Sequence, residues 1–550
     1  MKRLIAILLS AIMLLALLAA CAPEAETQAD PDPVNGNGEQ VEDPVEPVDP
    51  DPVEPEPVDP GEPPTEITIW FNGGNENNND TEVVAAANAR LQELGLNIAI
   101  NPVWTGGWGM GDPAQIALNT ADASIDIFWA GTWGLNYFNN ARIGNFIRLD
   151  DPDNNLLERY GQAMLAEVED VLWEAFVTDG PSGRGLYGIP GPKDYAAWFK
   201  LEVNVTRLEE LGFDFDEIFD MNGSNSHIIF DPIFEEIMQA AKDEYGDTFF
   251  PLMLESGNWV QQFSNTDADI TGLDTFMFPF DPDNPALPAR PEVTLQIEND
   301  DFLAVLERTR HFWEQGFTDP RLAIGDDAID RGEELRDGNF IFSTGQYAHG
   351  HTGSRQAESN LDIRFVPLSR VPIVSTMSAA GSGFAVSVYS QNPEAAVQFM
   401  NAWYTDNTLA VILTEGVEGI HWNYDADGLI VLDHDARDAG PWGTWRFGMG
   451  NVFMLTPRDT DGAGWIEGFQ AYNEQGVGTA FLGFVFDNEP VAIQYAAMQS
   501  VVDEFRTPLT VGALDLDTAI PDFLAALQAA GADDVLAEIN RQLDEFFAGR

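Results

Sequence analysis

Fourteen tryptophans stand in this chain, and many fall beside glycine where strands are predicted to end: Trp104, Trp108, Trp129, Trp133, Trp422, Trp442 and Trp445. That is more indole than core packing needs. An aromatic face suits the apolar C–H face of a pyranose, while polar neighbours take up the hydroxyls. Reactive constellations are harder to find. With 91 acidic residues, paired carboxylates say nothing about glycoside hydrolysis. Gly381-Ser382-Gly383 lacks the spacing of a nucleophile elbow, and no phosphate loop occurs. His349 and His351 lack a third metal ligand. The stretch from Asn423 to Gly428 begins like a calcium loop, but its twelfth position is His434 where a bidentate Glu is required. Asp427-Gly428 before Leu429-Ile430-Val431 predicts a hairpin turn instead. Calcium elsewhere on so acidic a chain stays open, but no metal site and no cofactor are assigned.

The elements that must position the aromatic residues follow a regular order. Glu66 to Phe71 alternates and is β-branched, predicting a strand. Asp80 or Thr81 can cap a helix running to Leu94 and stopped by Gly95. Leu96 to Val103 predicts a second strand, Pro113 to Asn119 a helix, and Ile125 to Ala130 a buried strand. This β-α-β-α-β order means a doubly wound parallel sheet, whose ligands sit beyond the carboxyl ends of the strands. Those ends are Asn72 to Glu76, Trp104 to Gly111 and Trp129 to Asn136. Further along, Leu156 to Phe176 predicts a helix and Leu186 to Pro190 a strand. Leu303, Leu306, Arg310 and Trp313 mark an amphipathic helix, as do Ala396, Phe399, Met400 and Trp403. Two helices close the chain, the last with Leu536, Ile539, Leu543 and Phe546 on one stripe. These stripes are core faces.

The 550 residues allow two to four domains or two large lobes. A formal charge of −65 excludes nucleic acid and a polybasic membrane patch. One cysteine excludes a disulfide framework. Met1-Lys2-Arg3, the apolar run Leu4 to Ala20 and Leu18-Ala19-Ala20-Cys21 carry the parts of a secretory signal and resemble a bacterial lipobox. Cys21 is then the lipidated residue and new N-terminus. Residues 22–66 hold 15 acids, 12 prolines and no Lys or Arg, the composition of an extended tether. Residues 67–550 keep only three lysines, Lys193, Lys200 and Lys242. Such acidity suits high salt or alkaline pH outside the cell.

Ile69-Trp70-Phe71-Asn72-Gly73, Asp126-Ile127-Phe128-Trp129-Ala130, Leu186-Tyr187-Gly188-Ile189-Pro190, Phe342 to Tyr347 and Ser390 to Ala396 occur in an order that resembles the extracellular solute-binding proteins, family 1, of carbohydrate ABC importers. Two of these segments are close to the maltose-binding protein. Glu415 to Trp422 and Phe484 to Pro490 look like a lipoprotein subfamily with a C-terminal extension. The resemblance implies an α/β, two-lobed fold of the type II periplasmic-binding-protein kind that closes on a solute by hinge motion. It implies a first lobe of 67–188 plus 366–413 and a second of 189–365 plus 414–550. Crossings are expected near Tyr187–Lys193, Arg364–Pro372 and Thr414–Glu418.

On that resemblance the ligand wall of the first lobe comprises Asn75, Glu76, Trp129, Thr132, Trp133 and Asn136. Tyr195, Trp198, Trp259, His421 and Trp422 are expected from the second. Charged positions of the maltose-binding protein are replaced at Gly74, Asn75 and Trp133, so maltose itself does not carry over. The function implied is a monomeric, non-enzymatic receptor, lipid-anchored to the outer face of a bacterial membrane, that hands a carbohydrate to an ABC permease. The alternatives are the same clamp on a peptide or other non-sugar solute, a secreted glycan-active enzyme, and a scaffold or adhesin.

Overall fold

The computed structural model describes residues 63–548 apart from 73–80, 105–110, 197–198, 255–258, 264–265, 268–274, 280–291, 326–327, 347–355, 357–358, 369–370, 434–441 and 443. Cys21 and tether residues 22–62 fall outside the described residues, and Thr65 and Glu66, expected in the tether, open the first strand instead.

The chain opens as its pattern requires. Strand β1 (Thr65–Phe71) buries Ile67, Ile69 and Phe71, and helix α1 (Thr81–Glu93) turns Val83, Ala87 and Leu91 inward on one four-residue spacing. Gly95, at φ 81°, ends that helix and lets the chain turn into β2 (Ile98–Trp104). Helix α2 (Gly111–Asn119) leads to β3 (Ile127–Trp129). Strands β2 and β3 run parallel to β1 on either side. Helix α3 (Tyr137–Arg142) follows. The single helix expected over Leu156–Phe176 is instead three: α4 (Leu156–Tyr160), α5 (Gln162–Glu167) and α6 (Asp170–Phe176). Gly161 leaves helical geometry after the first, and β-branched Val168 is extended (ψ 130°) after the second. Strand β4 (Ile189–Pro190) completes the first passage.

The second sheet starts at β5 (Phe199–Asn204). Strand β6 (Leu252–Met253) belongs to it. Helix α7 (Asp300–Glu314) packs in the same lobe, turning in Phe302, Val305, Leu306, Thr309 and Phe312. Leu303 and Trp313, expected on its inner stripe, are only partly buried. Strands β7 (Phe342–Gln346) and β8 (Ile363–Pro367) flank β5 antiparallel, giving the order β6-β7-β5-β8.

The chain then returns through β9 (Ile373–Val374) to β10 (Gly383–Val386), which lies antiparallel between β3 and β4. Helices α8 (Pro393–Thr405) and α9 (Asn407–Glu415) cover the first sheet. Strands β11 (Trp422–Tyr424) and β12 (Ile430–Leu432) form the expected hairpin, with Gly428 at φ 81° in its turn. Helix α10 (Trp465–Asn473) and strand β13 (Val477–Gly478) end this passage. Three helices finish the second lobe: α11 (Ala492–Thr510), α12 (Leu516–Ala530) and α13 (Ala532–Ala548).

Core membership divides residues 414–550 differently from the boundaries implied by the resemblance. Trp422, Ile430, Trp442, Trp465 and Tyr472 pack with the first sheet, whereas Phe481, Val491, Met498 and Leu543 pack with the second. Tyr195 and Ala196 also join the first core, as does Val374, while Ile373 joins the second. The third crossing therefore lies at 473–480, not at Thr414–Glu418. Leu413 and Trp422 are both embedded in one core, so the chain does not leave that lobe between them.

The crossings are bound to one another. Asn473 Oδ1 accepts from the backbone N–H of Tyr195 and Ala196 (3.3 and 3.5 Å), and its Nδ2 donates to Lys193 O at 2.8 Å. Ile373 and Val374 pair in parallel with Val477 and Gly478. The C-terminal extension also reaches back. Arg142 at the end of α3 pairs with Asp487 at 3.0 Å, and Thr376 Oγ1 donates to Phe481 O while accepting from Gly483 N. Among the described residues no helix is long and apolar enough to cross a membrane.

Lys200, on the second sheet, lies 5.3 Å from the ring of Tyr472 in the first core. Burial pushes its ammonium down from 10.5 to about 8, against the upward pull of Asp194. The folded chain then holds fewer protons than the unfolded one between these values, so this group makes stability rise with pH from about 8 to 10. Lys200→Met should flatten that rise in thermal midpoints measured at constant salt. An unchanged slope would place its origin elsewhere.

Candidate functional site

The carboxyl ends of β1 and β3 meet the amino end of β10, and the side chains there are aromatic and polar. Trp129, the last residue of β3, is fully buried, with its indole N–H on Ser382 Oγ at 3.1 Å. Trp133 tilts over it at 4.8 Å between ring centroids and is 47% exposed. Trp445 stands against Trp133 at 5.6 Å with its plane turned 75°. The pair forms a corner, with the face of one ring beside the edge of the other, laid over a buried third indole. Quadrupole geometry favours such tilted contacts over flat sandwiches.

Glycines make the approach feasible. A Cβ at Gly131 would sit 2.8 Å from the Trp129 ring, and one at Gly134 would sit 2.7 Å from it. The same point at Gly134 is 3.7 Å from Asn72 Nδ2. Asn72, at the end of β1, is 1% exposed, and neither its amide nitrogen nor its amide oxygen has a partner among the described residues. A buried amide left unpaired costs on the order of 1–3 kcal/mol, which makes this one a candidate to bond a ligand atom. Leu135 holds a left-handed conformation (φ 50°) in the same loop, a local strain kept where the loop must take one shape.

The two polar residues expected beside the tryptophans have structural duties. Thr132 Oγ1 donates to Met377 O at 3.0 Å, and its backbone N–H bonds Ala380 O. Asn136 caps α3 by accepting from Asn139 N at 3.1 Å. Thr132 and Asn136 therefore hold the loop that presents Trp133. Asn75, Glu76 and Trp198 lie outside the described residues.

The residues expected from the second lobe do not converge on this corner. Tyr195 is buried in the first core, and burial together with Glu169 beside it raises its phenol well above the usual range. His421 is fully buried, its Nδ1 accepting from Val417 N at 3.0 Å, and Trp422 is 4% exposed with its indole N–H on Gly416 O. Both close the turn after α9 within the first lobe. Trp259 is buried in the second core, its N–H on Thr309 Oγ1 at 2.8 Å. Aromatic type alone could not separate these packed rings from a binding surface. In the sequence Trp445 is one tryptophan among several near glycines, and Asn72 is only a strand end. Its place at that end was the available signal.

The architecture is a two-lobed α/β fold whose crossing strands join a first lobe carrying an aromatic wall to a second. Comparisons agree on that fold. Residues 480–548 match the family described as Domain of unknown function (DUF3502). A carbohydrate ABC transporter substrate-binding protein of Streptococcus pneumoniae is 23% identical over 484 residues, 87% of this chain and 90% of its own. The crystal structure of the N-glycan transport solute binding protein NgtS, from the same organism, superposes with a TM-score of 0.71 at 20% identity, over 88% of this chain and 99% of that one. The alginate-binding protein AlgQ2 superposes with a TM-score of 0.57 at 15% identity, over 88% and 98%.

Trp259→Phe should lower stability by roughly 1–3 kcal/mol, through lost volume and the lost indole bond to Thr309, whose hydroxyl keeps its own bond to Val305 O. The accessibility of Trp133 to acrylamide should stay unchanged. Quenching that altered with Trp259 would tie this ring to the corner after all.

Proposed function

We propose that this protein is the substrate-binding component of a carbohydrate ABC importer, capturing an extracellular oligosaccharide by hinge closure and passing it to a membrane permease. The observation that carries the reading is the corner of exposed Trp133 and half-buried Trp445 over buried Trp129, with the Asn72 amide, unpartnered among the described residues, beside it. Stacking surface plus a buried hydrogen-bonding group is what a sugar ring requires. The relatives support it: NgtS structures hold Man1GlcNAc and Man5GlcNAc, and the S. pneumoniae relative is named for carbohydrate transport.

Asn75, Glu76 and Trp198 are assigned to the walls of the same cleft. Closure brings the second lobe onto the ligand, and the closed form is favoured because only it touches the sugar from both sides. Binding of this kind needs no reactive group, and the protein is read as a receptor, not an enzyme. Cys21 is assigned as the lipidated terminus, holding a monomer at the outer face of the membrane on the tether of residues 22–66. Cys21→Ser should move the protein from the membrane fraction to the medium.

Titration of intrinsic tryptophan fluorescence with Man1GlcNAc, Man5GlcNAc and linear malto- and cello-oligosaccharides tests the reading. A saturable change without product formation is expected for at least one glycan. Trp133→Ala removes a stacking face and Asn72→Ala a buried hydrogen bond, each on the order of 1–1.5 kcal/mol, or about tenfold in Kd. Unchanged affinity in a folded Trp133→Ala protein would move the cleft elsewhere.

A further inference from the structure

Trp445 reaches the corner from a segment rich in buried charge. Arg446, the next residue, gives two guanidinium nitrogens to Asp461 at 2.7 and 2.8 Å. Their side chains are 8% and 1% exposed. The Arg446 guanidinium also lies 4.2 Å from the ring centroid of Trp465 and 5.3 Å from that of Phe447. Asp461 Oδ2 accepts from the backbone N–H of Arg458, whose guanidinium pairs bidentately with fully buried Glu415 at 2.9 and 2.7 Å. Thr444 Oγ1 donates to Thr414 O at 2.9 Å, pinning the other side of Trp445 to the end of α9. Behind the ring, a Cβ at Gly448 would sit 2.6 Å from Trp445 Cε3.

Four buried charges are a poor way to gain stability, because desolvation offsets most of the attraction. What a bidentate, stacked guanidinium does supply is a single geometry. Here that geometry belongs to the backbone on either side of Trp445. We infer that the Arg446–Asp461 pair is a positioning element for Trp445, holding its ring crosswise to Trp133 so that the two grip one pyranose by face and edge. The proposal rests on the carbohydrate reading for the ligand, but not for the ring geometry.

The test uses the full chain as wild type, Trp445→Phe, Arg446→Lys and the double variant, each held well below its own melting temperature. Arg446→Lys keeps the charge and loses the planar fork, and Asp461→Asn serves where it fails to fold. Beside the couplets of Trp129–Trp133 and Trp104–Trp442, the Trp133–Trp445 pair should contribute its own exciton couplet in circular dichroism, read as the difference between wild type and Trp445→Phe. Arg446→Lys should remove more than half of the same couplet, and the double variant should match Trp445→Phe. A couplet retained in Arg446→Lys, or two losses that simply add, would overturn the proposal. In parallel, Arg446→Lys should weaken Man5GlcNAc or Man1GlcNAc binding by roughly tenfold in the wild-type background and not at all in Trp445→Phe. An equal further loss in both backgrounds would reduce the pair to general structure and also overturn it. Absence of glycan binding by the wild type would count against the transport reading, while the couplet would still decide the positioning.

Discussion

Trp129 loses its whole indole from water at the edge of what should be an open cleft, and the arrangement of the wall follows from that burial. A buried indole needs a partner for its N–H and close cover for both faces. Ser382 supplies the partner across 253 residues of sequence. Trp133 covers the ring, and Gly131 and Gly134 in one loop and Gly448 in another let two stretches of backbone close around it. The buried ring is thus a floor. It fixes where Trp133 stands, and Trp133 fixes the corner with Trp445. Under the proposed function a ligand would meet exposed Trp133 and half-buried Trp445 already placed by folding, which would remove ordering cost from binding.

The same economy governs the joint between lobes. Strand β10 enters the first sheet from the crossing at β9, so Ser382 and Gly383 belong at once to the floor under the aromatic wall and to the hinge-side chain. Asn473 locks one crossing to another, and β9 pairs with β13. Trp129 and Trp445 share one core with the crossing residues Tyr195, Ala196 and Val374, so the floor of the corner belongs to the first lobe. The C-terminal extension adds contacts from Asp487, Phe481 and Gly483 to the first lobe. A cleft of about 810 Å³ lies between this extension and α6.

The first three strands, their parallel pairing and the amphipathic helices were legible because their information is local: alternation, four-residue spacing and glycine stops; the antiparallel return of β10 into the same sheet was not. The loop from Trp129 to Asn136 was legible because strand ends of a doubly wound sheet collect ligands. The second wall was not. Trp259, His421 and Trp422 carry residue types that stack on sugars, yet each spends its polar atom on a nearby partner and its ring on the core. Whether an indole packs inward or outward depends on contacts hundreds of residues away, such as Trp129 with Ser382. The return of residues 422–472 to the first lobe was hidden for the same reason, since nothing in the apolar content of Trp465 or Tyr472 says which of two cores it fills.

Charge shows a related division of labour. With 26 basic residues against 91 acidic ones, a surface of this kind repels itself, and salt relieves that repulsion. Cations are scarce, and several arginines are placed where separate segments meet. Arg90 pairs with Asp406 across 316 residues, Arg142 with Asp487 between lobe and extension, and Arg446 and Arg458 with Asp461 and Glu415 inside the first lobe. Buried pairs are screened far less than exposed ones. Rising salt therefore quiets the acidic surface while leaving the Arg446 and Arg458 pairs nearly untouched. Solubility and site geometry are carried by different charges, and conditions that change the first need not loosen the second.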